Sequence, residues 1–70
     1  MPQEFELNDY EFIELNKLMK IMGLVGTGGE ANMRIVSEEV KLNGVVEIQK
    51  RKKIRTGDKV EFMGEVIVVR

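Results

Sequence analysis

Seventy residues, 33% charged and 43% hydrophobic, make one small domain over positions 1–70 that commits nearly all its apolar side chains to the core. With no cysteine and no histidine, the chain lacks a disulfide framework, a thiolate nucleophile, a cysteine zinc site and the usual general base, so neither an enzyme nor a cofactor is expected. The net charge of −1 hides a division: residues 1–39 carry eight acids and three bases, whereas residues 40–70 carry four acids and eight bases.

The opening Met1-Pro2-Gln3-Glu4 is acidic and has neither the basic nor the apolar region of a signal peptide. The longest apolar run of the C-terminal half, Val66–Val69, is far too short to cross a bilayer. A soluble, cytoplasmic protein without membrane partners, and a monomer, is the expectation. Phe5-Glu6-Leu7 alternates as a short first strand. A helix follows from about Glu11 to Met22, with Phe12, Leu15, Leu18, Met19 and Met22 forming one apolar stripe. Lys17 and Lys20 suit its C-terminal dipole, and Gly23 ends it.

Thr27-Gly28-Gly29-Glu30 has capping-box spacing and starts a second helix that runs to about Ser37, with Ala31, Ile35 and Val36 facing inward. From Val40 the period changes to two. Val40–Leu42 and Val45–Ile48 form a hairpin about Asn43-Gly44, a pair that tolerates the positive φ of a tight turn. In that register Val40 opposes Glu47, and a carboxylate on an apolar face calls for a basic partner from the following run. Lys50–Lys53 reads as a loop or short edge segment, and Thr56-Gly57-Asp58 as a turn. Lys59–Phe62 and Glu65–Val69 make a second hairpin about Met63-Gly64. Two helices within residues 11–38 followed by strands within 40–69 predict an α+β fold, the helices packed on one side of a small antiparallel sheet.

Five bases fall in the six residues Lys50–Arg55, the electrostatic footprint of a phosphate-rich partner. The same run would also serve as a solvated loop. Gly28-Gly29 would let a phosphate approach the free amides of a helix N-terminus, or would merely follow the Thr27 cap; Glu30 adds an opposing charge there. The chain has only four aromatic residues, Phe5, Tyr10, Phe12 and Phe62, and Phe12 and Phe62 read as buried. That favours shape and phosphate readout of folded RNA over single-strand binding.

Gly23-Leu24-Val25, Thr27-Gly28-Gly29-Glu30-Ala31, Val40-Lys41-Leu42-Asn43-Gly44 and Gly57-Asp58-Lys59-Val60, in that order, resemble the RNA-binding domain named after small-subunit ribosomal protein S-four. The resemblance spans roughly Phe12 to Val69 and is greatest to the small stand-alone bacterial proteins of that superfamily. It implies a helix–turn–helix-like αL motif that docks structured RNA, ribosomal or transfer RNA, alone or within a ribonucleoprotein assembly. Carried onto this chain, the RNA-facing positions are Gly28, Gly29, Asn32, Lys41, Asn43 and the bases Lys50, Arg51, Lys52, Lys53 and Arg55. The chain departs from the family pattern at Asn32, where a base is usual, at Arg34, at Gln49, where an arginine is frequent, and at Glu38, which replaces a frequent glycine. These departures thin the helical part of the basic surface. A protein–protein adaptor using the acidic and basic halves is the alternative function.

Overall fold

The computed structural model describes residues 2–70; Met1, the first residue of the acidic opening, lies outside them. Nine elements follow in order: β1 (Gln3–Phe5), β2 (Ile13–Glu14), α1 (Leu15–Ile21), α2 (Gly28–Val36), β3 (Val40–Leu42), β4 (Val45–Val46), β5 (Lys53–Ile54), β6 (Lys59–Phe62) and β7 (Glu65–Val69). Five strands form one sheet in the order β1-β7-β6-β3-β4, and β2 pairs with β5 in a separate two-stranded ladder. All pairings are antiparallel except β1 with β7, where the first strand runs alongside the last.

The inward positions of the sheet follow from its register. Val40 faces Phe62 across β3 and β6, and Val60 faces Ile67 across β6 and β7. These side chains, with Val69, are buried in one cluster with Leu15, Leu18 and Met19 of α1 and with Ala31 and Ile35 of α2. Alternate strand positions and i, i+3, i+4 helix positions thus meet in a two-layer α+β core, as the change of period at Val40 predicts. The other sheet face carries the cross-strand row Val66, Glu61, Lys41, Val46, which points away from the helices.

Both helices end in the same device. At α1 the Gly23 amide donates to the Lys20 carbonyl at 3.1 Å and the Leu24 amide to the Met19 carbonyl at 3.0 Å. At α2 the Glu38 amide donates to the Ile35 carbonyl at 3.1 Å and the Glu39 amide to the Arg34 carbonyl at 3.2 Å. Each is a Schellman motif with its turning residue at positive φ, 74° at Gly23 and 64° at Glu38.

Four local expectations are corrected. The first strand lies at Gln3–Phe5, because Asn8 turns the chain at φ 58° and Leu7 drops into the core. The first helix begins at Leu15 and not near Glu11, because Ile13 and Glu14 pair with Ile54 and Lys53. Val36 is 53% exposed, on the outer side of α2. The returning strand of the first hairpin stops at Val46, and Glu47 finds no basic partner among the described residues: its carboxylate accepts from the Gln49 amide at 3.0 Å. The Glu47 amide still donates to the Val40 carbonyl at 3.0 Å, so the expected register holds while the side chain turns to its own backbone.

Candidate nucleic-acid interface

The basic run is held by its backbone. Helix α1 begins at an extended Glu14 that supplies no side-chain cap, leaving the first amides of the helix in need of acceptors. The run provides them: the Leu15 amide donates to the Lys52 carbonyl at 2.9 Å and the Asn16 amide to the Lys50 carbonyl at 3.1 Å. Lys50, Arg51 and Lys52 are thereby fixed over the N-terminus of α1, whatever side chains they carry. Beyond them, Lys53 pairs with Glu14 in the β2–β5 ladder and Ile54 is buried.

Three side chains of the run make contacts within the protein. Arg51 Nε donates to Glu14 Oε2 at 2.9 Å, although the Arg51 side chain stays 77% exposed. Such a pair is worth about 0–1 kcal/mol and yields readily to a stronger anion. Lys53 Nζ lies 5.0 Å and the Arg55 guanidinium carbon 5.8 Å from the centroid of the Phe12 ring, within cation–π range. Phe12 is half-buried rather than buried, with cations over it.

Helix α2 starts as its sequence dictates. The Thr27 hydroxyl accepts from the Glu30 amide at 3.1 Å, and Glu30 Oε1 accepts in return from the Gly26 amide at 2.9 Å, one residue earlier than in the usual capping box. Nothing lies within 4 Å of where a Cβ on Gly28 would stand, so packing does not require glycine there. Asn32, one turn into α2, accepts at Oδ1 from Asn16 Nδ2 at 3.0 Å and so ties the two helices together.

These pieces meet in an open groove of about 800 Å3 lined by Lys17, Lys20, Gly28, Asn32 and Arg51, with Glu14 as its one carboxylate. Of the residues expected to face RNA, Gly28, Asn32 and Arg51 line this groove. Gly29 is exposed beside it in the first turn of α2, and Lys50 and Lys52 flank Arg51 in the run. Lys53 and Arg55 lie farther along, at Phe12. Two residues fall elsewhere. Lys41 stands on the sheet face turned away from the helices. Asn43 gives both ends of its amide to the protein, donating to Asp58 Oδ1 at 3.0 Å and accepting from the Lys59 amide at 2.9 Å.

Lys17 and Lys20 are missing from the sequence reading of the site, which assigns them to the helix dipole. Their i, i+3 spacing opposite the buried Leu15, Leu18 and Met19 was the available signal. Among the described residues there is no group of three or more acids suited to a metal ion, and no helix is long and apolar enough to cross a membrane.

Two linked helices on a mostly antiparallel sheet, with a basic loop seated at their shared groove, define the class: the chain belongs to the S4 domain family, whose pattern matches residues 5–70. Among individual proteins it is similar to YbcJ of Escherichia coli (strain K12), to which RNA binding is ascribed, with 37% identity over 65 residues and 93% of each chain covered. YbcJ of Shigella flexneri matches to the same extent. The solution structure of the E. coli protein, described as revealing an αL motif involved in RNA binding, matches with a TM-score of 0.76 at 35% identity. That match covers 99% of this chain and 87% of the other.

Proposed function

We propose that the protein is a non-catalytic RNA-binding module that docks structured RNA, ribosomal or transfer RNA, in the groove between α1 and the start of α2. The observation that carries this reading is the seating of the Lys50 and Lys52 carbonyls on the α1 amides, which sets the basic run beside Lys17, Lys20, Gly28 and Asn32. Lys50, Arg51, Lys52, Lys17 and Lys20 supply the sequence-independent phosphate attraction. The Asn32 side-chain amide nitrogen can donate to a ribose hydroxyl while its oxygen holds Asn16, and Gly28-Gly29 lets a phosphate come close to the first turn of α2. Glu14, the one carboxylate lining the groove, is held at 2.9 Å by the exposed Arg51, and Glu30 lies 3.8 Å from Arg34. Membership of the S4 domain family and the RNA binding ascribed to YbcJ support the same reading.

The absence of histidine and cysteine leaves the groove without a general base or nucleophile of the usual kind, which is consistent with a binding role. A monomer acting on RNA in the cytoplasm, within a ribonucleoprotein assembly, completes the proposal. Its test is anisotropy of labelled ribosomal and transfer RNA fragments across a salt series. Affinity that falls steeply with salt supports it. Absence of binding at low salt, with a folded chain, turns the dipolar surface over to a protein partner.

A further inference from the structure

A second cavity, of about 590 Å3, opens on the other side of α1. It shares Glu14, Lys17 and Ile21 with the basic groove, so the two flank the same residues at α1. Its lining is chiefly apolar and includes Phe5, Leu7, Phe12 and Ile13. Tyr10 also lines it while remaining 78% exposed, the most exposed of the large hydrophobic side chains described.

An exposed aromatic residue alone is ordinary. The backbone of this one is held in place: the Tyr10 amide donates to the Leu7 carbonyl at 3.1 Å, closing a turn through Asn8 at φ 58°. The turn is anchored in its own right, since Leu7 is buried and its amide donates to the Arg70 carbonyl at 3.0 Å. The half-buried Phe12 of the same cavity has Lys53 and Arg55 over its ring. An exposed ring on an anchored turn, an apolar slot, the cations Lys53 and Arg55 at Phe12, and Lys17 shared with the phosphate groove form a combination that the core does not require.

We propose that this cavity receives one unpaired nucleotide of the bound RNA, its base stacked on Tyr10 and its phosphates met by Lys17, Lys53 and Arg55. The proposal rests on the RNA-binding reading and adds a subsite to it. A nucleotide matches the lining: its base offers flat apolar faces to the ring, and its N–H edge finds acceptors in Glu6 and Asn8. Glu14 is occupied by Arg51. With one free ring and no row of them, the site suits a single bulged or loop nucleotide in otherwise helical RNA, not a single-stranded tract. An apolar peptide would fill the slot but bring no counter-charge to Lys17 in the lining or to Lys53 and Arg55 at Phe12, three cations that the two lining carboxylates, Glu6 and Glu14, offset only in part.

Tyr10 is the only tyrosine and the chain has no tryptophan, so tyrosine emission reports this site alone. The full chain is titrated with a perfect RNA duplex and with the same duplex bearing one bulged adenosine. The bulged duplex is expected to bind about tenfold more tightly and to quench the emission. Tyr10→Ala, at an exposed position, should lower the bulged duplex to the affinity of the perfect one, and Tyr10→Phe should restore the difference. Equal affinity for the two duplexes without quenching overturns the subsite and leaves the RNA-binding reading standing. Binding of neither duplex at low salt overturns both. Quenching by an apolar peptide but not by the bulged duplex overturns the nucleotide and assigns the slot to a protein.

Discussion

Asn43 braces Asp58: its side-chain nitrogen donates to Asp58 Oδ1 at 3.0 Å, while Asp58 Oδ2 accepts from the Arg55 amide at 2.8 Å. The β3–β4 turn is thus tied to the turn that follows the basic run, and the Asn43 oxygen completes the brace at the Lys59 amide. Asparagine serves here twice, because its backbone also sits at φ 53° beside Gly44 at φ 85°, the paired positive φ of a tight hairpin turn. Asn43→Gly keeps that backbone and loses the brace, which should cost about 1–2 kcal/mol. Asn43→Ala loses both and should cost about 1 kcal/mol more. Urea unfolding of the two variants measures this, and equal losses would remove the backbone share of the argument.

Gly23 and Glu38 occupy the same place in two copies of one motif, and only one of them is the residue that place favours. A side chain in the left-handed region costs about 1–2 kcal/mol, partly offset because glycine has more freedom to lose on folding. Glu38→Gly should therefore stabilise the protein by about 0.5–1 kcal/mol, and Gly23→Ala should destabilise it by about 1 kcal/mol. Nothing lies within 4 Å of the Gly23 Cβ position, so the second change isolates backbone strain from packing. Paired thermal melts give the comparison. A destabilised Glu38→Gly variant would mean that the Glu38 side chain contributes something its αL conformation does not reveal.

The two hairpin turns, the end of α1 and the innermost helix positions were legible because each depends on local chemistry: Asn43-Gly44, Met63-Gly64, Gly23, and the 15–18–19 and 31–35 spacings. What escaped was decided by distant partners. The α1 boundary could not be read because Phe12 and Leu15 fit a helical period whether or not Ile13 and Glu14 pair with a strand forty residues away. The parallel β1–β7 pairing joins the ends of the described chain, which no local pattern encodes. For the site, the charge of the Lys50–Arg55 run was visible, whereas its seat on α1 depends on carbonyl oxygens that every residue possesses. Asn43 was readable as a turn but not as the brace to Asp58, since that bond spans 15 residues.

Glu47 illustrates the difference between register and side-chain direction. Its amide keeps the hairpin bond to Val40, yet its carboxylate bonds to the Gln49 amide and makes none of the ion pairs found among the described residues. A double-mutant cycle between Glu47→Gln and charge removal at Lys50, Arg51, Lys52, Lys53 or Arg55 should give a coupling energy within about 0.3–0.5 kcal/mol of zero, the scatter seen for independent sites. Coupling above about 1 kcal/mol with any one base would restore the ion pair that the sequence suggested.

The basic run should carry RNA affinity without carrying the fold, because its anchors to α1 are main-chain carbonyls that survive side-chain truncation. Changing Lys50, Arg51, Lys52 and Lys53 to Ala removes the exposed Arg51–Glu14 pair and the Lys53 contact with Phe12, a combined loss of about 1 kcal/mol. On single-stranded RNA, where each neutralised phosphate contributes about 0.7 to the logarithmic salt slope, the same variant should flatten that slope by about 3 units. Lys17→Ala with Lys20→Ala should flatten it by about 1 unit, since both line the same groove. Lys41→Ala, on the opposite face of the sheet, should leave it unchanged. A slope series with a melting curve on each variant decides the matter. If the quadruple variant stays folded and keeps its slope, phosphate contact lies elsewhere; if Lys41 alone lowers it, RNA approaches the open face of the sheet and the groove loses its claim.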